Sequence, residues 1–330
     1  MKNKTLERRI FYALRDDVLR LTILPTEQCN FRCFYCYESF KLGKMSKETS
    51  ESILKLVKRR ASTLKFLHIN WFGGEPLIAK DIIISLSEEF KELSKKFNFK
   101  YTSSITTNGY YLNSNLFTKL VTNGITNYQI TLDGDKKIHN KTRILSNGEG
   151  TFNIIWNNLI SIKKNTLKFD IMIRIHYSPE NLKEIKAFSK ILNTEFGKDN
   201  RFKIFFKNIS TLGSCNDESL STFDSEESNE IQKDLNSLID AVDTVTQDDY
   251  VCYASEANTF IIRSNGDISK CTVALDEEVN IIGRLNSNGE LELNQDKCKL
   301  WSIGLQTEDE AHLACPYFNL IKPQIVDLVG

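Results

Sequence analysis

Residues 25–37 read Pro25-Thr26-Glu27-Gln28-Cys29-Asn30-Phe31-Arg32-Cys33-Phe34-Tyr35-Cys36-Tyr37, directly after a β-like run, Leu19 to Pro25 (LRLTILP). Three thiols within eight residues, on a loop at a strand's carboxyl end, can converge on one metal centre. Iron–sulfur clusters are held by thiolates, and four cysteines normally complete a [4Fe–4S] cube. A local trio with no fourth cysteine nearby leaves one iron open to a substrate or cofactor, much as catalytic zinc keeps an open position. A structural zinc site is the competing reading. Zinc pairs usually repeat Cys-x2-Cys, however, and the first gap here is three residues.

Outward from this loop, β-like and helix-like segments alternate to about residue 210. Further β runs are Leu67 to Phe72, Lys100 to Thr107, Asn127 to Leu132, Lys168 to Tyr177 and Arg201 to Ile209. Apolar residues three and four apart mark helices between them, at Ser46 to Arg60 and Thr151 to Lys164. Start signals stand at Ser46, Ser114 and Ser178-Pro179-Glu180. Six strands alternating with helices predict parallel βαβ units, which carry their functional groups on loops at the strands' carboxyl ends. Beyond Ser225 the pattern changes to one helix, Glu227 to Val242, and two short ribbons. Asn265-Gly266 and Asn288-Gly289 read as Asn-Gly hairpin turns. The ribbons are interleaved with cysteines and predict a small metal-stapled module. The polar stretch Leu212 to Asn229 marks the boundary.

Composition narrows the function. Among 330 residues, 41% hydrophobic and 26% charged exclude wholesale disorder. Lys+Arg and Asp+Glu are both 43, so no global field recruits nucleic acid or an anionic membrane. The basic run Lys55 to Lys65 reads as the solvated face of a helix. No apolar run approaches the roughly 18 residues that span a bilayer, and the charged N-terminus has no apolar signal core. The expectation is a cytoplasmic protein, whose eight cysteines are then metal ligands or catalytic thiols rather than disulfides.

Cys29-x3-Cys33-x2-Cys36, with an aromatic at Tyr35, resembles the radical S-adenosylmethionine (SAM) superfamily, whose motif follows the first strand of a partial (β/α)6 barrel. Phe72-Gly73-Gly74-Glu75-Pro76 is similar to that family's GGEP segment, which implies methionine amino-group binding through backbone and Glu75. Thr106-Thr107-Asn108-Gly109 resembles its ribose-contacting segment, and a fourth strand ends in Thr131-Leu132-Asp133-Gly134. Arg143, after this Asp-Gly loop and His139, falls where the peptide-modifying branch places an arginine on the SAM carboxylate. The resemblance covers roughly residues 18 to 210. It implies a [4Fe–4S] cluster with an open iron that chelates SAM. One electron then cleaves the sulfonium, and the resulting 5′-deoxyadenosyl radical abstracts hydrogen from an unactivated C–H bond. An external electron donor of flavodoxin or ferredoxin type is implied too.

Cys252-x13-Gly266-x4-Cys271 resembles the opening of the SPASM/Twitch extensions on peptide-modifying members. A full SPASM domain would continue with Cys-x2-Cys-Pro and three more cysteines. Here the stretch is His312-Leu313-Ala314-Cys315-Pro316. The resemblance therefore implies a truncated, Twitch-like domain with one auxiliary [4Fe–4S] cluster on Cys252, Cys271 and Cys315. Its fourth ligand is Cys298, on chemical frequency, or His312, on alignment, or a site left open for substrate. Cys298 also reads as a packed thiol in a helical stretch, Asp296 to Leu305.

The expected fold is α/β, a partial (β/α)6 TIM-like barrel with a small C-terminal β-hairpin/α iron–sulfur domain. Its divisions are an N-terminal extension (1–18), the barrel (19–211), a linker and helix (212–250), and the auxiliary domain (251–330). The expected activity is radical modification of a ribosomally made peptide by crosslink, thioether or epimerisation. Cys215, in the linker, is a candidate hydrogen donor for epimerisation. With only about eighteen residues before the barrel, leader binding falls to another protein or to the barrel surface. Sulfatase maturases resemble this barrel but place an aspartate directly after the second auxiliary cysteine, where this chain has Thr272. A small-molecule dehydrogenase and a non-enzymatic iron–sulfur redox protein are the remaining alternatives. His68 and His176, within strands, read as satisfied barrel or pocket residues, and Glu27, Tyr37 and Glu38 as packing around the cluster.

Overall fold

The computed structural model describes residues 4–212, 216–240 and 251–323. Its strands are β1 Val18–Ile23, β2 Phe31–Cys33, β3 Phe66–Trp71, β4 Lys100–Thr107, β5 Ile125–Leu132 and β6 Arg143–Leu145, then β7 Asp170–Tyr177, β8 Phe202–Asn208, β9 Thr259–Ile262, β10 Asp267–Ser269, β11 Ile281–Leu285 and β12 Leu291–Leu293. Six of them, β1-β3-β4-β5-β7-β8, pair in parallel, and helices Lys47–Arg60, Lys80–Phe97, Ser114–Thr122, Phe152–Lys163 and Leu182–Phe196 fill the crossovers. This is the expected mixed α/β architecture with a central parallel sheet.

Burial follows the two-residue period of a strand. Ile171, Ile173 and Ile175 of β7 are fully buried, while Arg174 and His176 line a cavity. In the neighbouring strands Thr22, His68, Asn70 and Gln129 likewise line a lumen. Apolar residues thus pack the helix side of the sheet, and polar residues at alternate positions face inward. The histidines His68 and His176 belong to that inner face.

Several local readings are corrected. The cap of helix Ser114–Thr122 is Asn113, whose side chain accepts from Leu116 N at 3.0 Å, so Ser114 is the first helical residue. Helix Leu182–Phe196 begins after Asn181, whose side chain instead accepts from Ser178 N, so Ser178-Pro179-Glu180 forms the turn before it. The helix expected from Glu227 spans Ser225–Asn236 under a capping box of Asp224 and Glu227. The stretch expected as one helix to Leu305 is broken into Gln295–Ser302 and Gly304–Thr307.

Both Asn-Gly signals mark hairpins, but not two-residue turns. Gly266 N bonds Arg263 O, and Gly289 N bonds Asn286 O, with φ +88 and +75 at the two glycines. Each glycine closes a longer loop in the left-handed region, where a residue with a side chain would be strained. The ribbons are also not a separate sheet. β9 pairs in parallel with β1, and β12-β11-β10-β9 extends the barrel sheet to ten strands. The basic run is tied down at that edge, with Arg59 pairing Glu290 at 2.8 Å and Lys55 donating to Ser287 O. Among the described residues, no helix is long and apolar enough to cross a membrane.

Candidate active site

The cysteine loop leaves β1 and is clamped from several sides. Gln28 O accepts from Glu75 N at 2.9 Å, and the Gln28 side chain donates to Phe40 O and Leu42 O. Gly73 has φ +116, and a Cβ there would sit 2.2 Å from Thr26 O; one on Gly74 would sit 2.6 Å from Gln28 O. The two glycines therefore let the β3 loop press against the backbone of the cysteine loop as well as line the cavity. A short ribbon, invisible to strand-pattern reading, completes the clamp. β2 pairs antiparallel with β6 so that Cys33 lies opposite Arg143.

Cys29, Cys33 and Cys36 line one cavity, together with Gly73, Gly74, Thr107, Asn108 and Arg143. Burial raises all three thiols, Cys36 to about 12, while Arg143 opposes the rise at Cys33. Thiols so placed gain most from a cation that takes the thiolate form. Among the described residues, no group of three His, Cys, Asp or Glu is gathered tightly enough for a single metal ion. A cube spreads its thiolates over separate irons and asks for no such focus.

Glu75 is fully buried, and its carboxylate accepts from Leu77 N, Thr107 Oγ1 and Asn108 N at 3.0, 2.7 and 2.7 Å. It fixes the β4 end rather than lining the cavity. Asn108 donates to Asn30 Oδ1 at 2.9 Å, which joins that strand end to the cysteine loop. Asp133 is buried behind the cavity wall. It accepts from Tyr35 Oη and Thr142 Oγ1 at 2.8 and 2.6 Å, and His176 Nδ1 lies 3.3 Å away. Burial alone would raise this carboxyl, but hydrogen bonding from His176 and the charge of Arg143 hold it below its ordinary value.

Tyr35 is the hub. Its hydroxyl donates to Asp133, accepts from Arg143 Nη1 at 2.9 Å and meets His176 Nδ1 at 2.9 Å. Since the single phenolic hydrogen goes to Asp133, His176 donates through Nδ1–H. His139, also buried, accepts from Asp133 N and contacts Thr151 Oγ1, which donates to Arg143 O at 2.7 Å. Burial keeps both histidines neutral, His139 lowered to about 3 and His176 to about 4. This network aims Arg143, whose Nε is buried without a hydrogen-bond partner. An unanswered guanidinium donor beside three thiols suits the carboxylate of an amino-acid cofactor. The donor set and the arginine together fit a thiolate-bound cluster with SAM.

Four more of the described cysteines, Cys252, Cys271, Cys298 and Cys315, lie in the C-terminal segment that joins the sheet through β9 on β1. Burial comes first in raising Cys252, to about 12, and Cys271 and Cys315 raise it further by their charge. Cys315 acts on Cys271 as well, whereas the charge that faces Cys298 is Lys270. Asn280, fully buried, accepts from Lys270 N and Cys271 N and donates to Cys271 O and Ala274 O. It shapes the Cys271 turn and was missed in the sequence. His312 Nδ1 has no hydrogen-bond partner and lies 3.6 Å from Asp309 Oδ1. Cys215 lies outside the described residues. Glu27 forms a buried ion pair with Arg263 at 2.6 Å, and Glu38 lines the cavity, raised to about 8 by burial, Glu27 and Glu75. Arg174 and Lys207 also line it and were not singled out. The readable signal for Arg174 was a charged residue at an alternate position of an otherwise buried strand.

A family profile described as Radical SAM superfamily matches residues 23–192, just over half of the chain. A cysteine-type anaerobic sulfatase-maturating enzyme of Clostridium novyi is 30% identical over 169 residues, 47% of this chain and 43% of that protein. A GTP 3′,8-cyclase of Microcystis aeruginosa is 34% identical over 137 residues, 38% and 39% of the two chains. The chain thus spans less than half the length of these two curated relatives. Among solved structures, native anSMEcpe with bound AdoMet and Kp18Cys peptide superposes with a TM-score of 0.67 at 21% identity, covering 86% of this chain and 84% of that one. Streptococcus suis SuiB bound to precursor peptide SuiA gives 0.56 at 18%, covering 91% and 69%. At these identities the structures establish the shared fold.

Proposed function

This chain belongs to the radical SAM superfamily and is a radical SAM enzyme, and from that premise we propose that it modifies a peptide, a ribosomally made precursor, by hydrogen abstraction. Membership implies a [4Fe–4S] cluster and SAM as cofactors. Cys29, Cys33 and Cys36 would hold the cluster, and Arg143 the SAM carboxylate. When bound, cluster and SAM supply one electron and a 5′-deoxyadenosyl radical that takes a hydrogen from the substrate. The chain's own groups bind and orient. Glu75 holds Thr107 and Asn108 at the β4 end, Asn108 ties them to the cysteine loop, and Tyr35 and Asp133 keep Arg143 aimed into the cavity. Gly73 and Gly74 let the GGEP loop close on that assembly.

The observation that carries the peptide reading is the C-terminal extension, which joins the barrel's first strand through β9 and carries Cys252, Cys271 and Cys315, the last two acting by charge on the first. We assign residues 251–330 to an auxiliary cluster held by these three thiols. The fourth position is Cys298, His312 or a site left open for substrate. Support also comes from the peptide-bound structures that share the fold. A sulfatase-maturase-like activity is the second reading, favoured by the Clostridium novyi relative, while Thr272 stands where those enzymes have their aspartate. An external electron donor and a separate leader-binding protein complete the proposal.

The test is anaerobic incubation with SAM, reductant and short candidate precursor peptides. Loss of two hydrogens from a peptide, or solvent deuterium at an α-carbon, together with 5′-deoxyadenosine, is the expected result. Consumption of a sulfatase-derived cysteine peptide to formylglycine would favour the second reading. An iron count supports either peptide reading. A variant with Cys29, Cys33 and Cys36 changed to Ala should retain roughly four irons.

A further inference from the structure

Arg174 stands on the inner face of β7 and lines both the cysteine-loop cavity and the deeper lumen. Its Nε is buried without a hydrogen-bond partner, and it makes no ion pair among the described residues. The charges and phenols that act on it are Tyr35, Tyr37, Arg143 and Asp133. Asp133 is already engaged by Tyr35, Thr142 and His176. Lys207, near the end of β8, lines the same cavity, feels the charge of Arg174, and has no ion pair among the described residues.

Three cations therefore face one committed carboxylate. Glu38, the acid that lines the cavity, sits among Glu27, Glu75 and Arg263 instead. A SAM carboxylate answers Arg143, and the negative charge of a thiolate-bound cluster is offset by the sulfonium of SAM. Arg174 and Lys207 are left over. An enclosed guanidinium without an anion is costly, and a planar fork of donors matches a carboxylate. We propose that Arg174, with Lys207 at the cavity mouth, binds a carboxylate of the substrate. Resting on the peptide reading, this means an Asp or Glu side chain or a free C-terminus near the reacting residue.

The experiment is anaerobic calorimetry on reconstituted protein saturated with SAM, so that Arg143 is occupied. The probes are acetyl-Gly-Glu-Gly-amide, its Gln counterpart, acetyl-Gly-Gly-Gly with a free carboxylate, and tripolyphosphate. Wild type should prefer one carboxylate peptide to the Gln peptide, the better of the two naming the source. Arg174→Gln should weaken that peptide about ten-fold or more, with Lys207→Gln acting in the same direction. SAM affinity should stay within about three-fold in both variants. Relief of an unpaired charge should leave the melting temperature of Arg174→Gln without cofactor unchanged or raised, where a structural arginine would lower it. Binding of both carboxylate peptides by wild type no tighter than that of the Gln peptide would overturn the proposal without needing any variant. So would SAM affinity falling with Arg174→Gln as far as peptide affinity. Tighter, Arg174-dependent binding of tripolyphosphate would overturn the carboxylate assignment together with the peptide reading. Failure of wild type to bind SAM would instead strike at the cofactor site itself.

Discussion

Replacing Tyr35 by Phe deletes one hydroxyl that donates to Asp133 and accepts from Arg143 and His176. Asp133 keeps Thr142, and His176 Nδ1 lies 3.3 Å from Asp133, so Arg143 is the partner left short. A buried group left unsatisfied costs about 1–3 kcal/mol, and Tyr35→Phe should lower stability by about that amount. SAM affinity should fall about ten-fold, since Arg143 loses the group that aims it. Equilibrium SAM binding to reconstituted protein, beside a urea melt, measures both, and unchanged SAM affinity would remove Tyr35 from the account. The neutral histidines give a pH signature. Below about pH 6.5, the unfolded chain takes up protons that buried His139 and His176 refuse until about 3 and about 4. Stability is then full above pH 6.5 and falls as pH drops, by about 1.4 kcal/mol per unit for each histidine. Glu38, raised to about 8 by burial, has the opposite slope over the same range. Urea midpoints between pH 6.5 and 4.5 should therefore show the histidine slope in a Glu38→Gln background, where His139→Gln should flatten it by about half. A flat profile in that background would contradict the assigned neutrality.

The cysteine loop and the β3 loop form one element held backbone to backbone, so its weak point is Gly73. A Cβ there meets Thr26 O at 2.2 Å, on top of a φ of +116. Gly73→Ala should cost at least about 2 kcal/mol and lower iron retention at the barrel site. Gly43→Ala, with nothing within 4 Å of the added carbon, is the matched control. Iron per chain after reconstitution and a urea melt of both variants decide the matter. Equal behaviour would mean the clamp is not what positions the thiols. At this scale the sequence was informative where periodicity and spacing act locally. The six parallel strands, the helix after Ser46 and the approach of three thiols to one cavity were all legible. The β2–β6 ribbon was not, because two three-residue strands 110 residues apart leave no pattern. Nor was the work of Glu75, since a carboxylate in a loop looks the same whether it meets a ligand or three local donors.

Across the whole molecule, the C-terminal extension is bound to the barrel by β9 on β1 and by the Glu27–Arg263 pair. Both side chains are about 5% exposed, and Arg263 also donates to Leu275 O. Removing one partner of such a pair strands a buried charge at a cost of about 3–5 kcal/mol. Arg263→Met should therefore destabilise the chain by that order and release iron from the barrel site together with the proposed C-terminal one. Loss confined to one site would contradict the coupling. The sheet's continuity was hidden in the sequence, because hairpins read from turn signals carry no mark of the strand they pair with. The account stands most directly on reductive cleavage of SAM. Anaerobically reconstituted protein given SAM and dithionite should release 5′-deoxyadenosine, and Cys36→Ala should release none while remaining folded. A folded, iron-loaded wild-type protein that yields no 5′-deoxyadenosine would contradict the central claim.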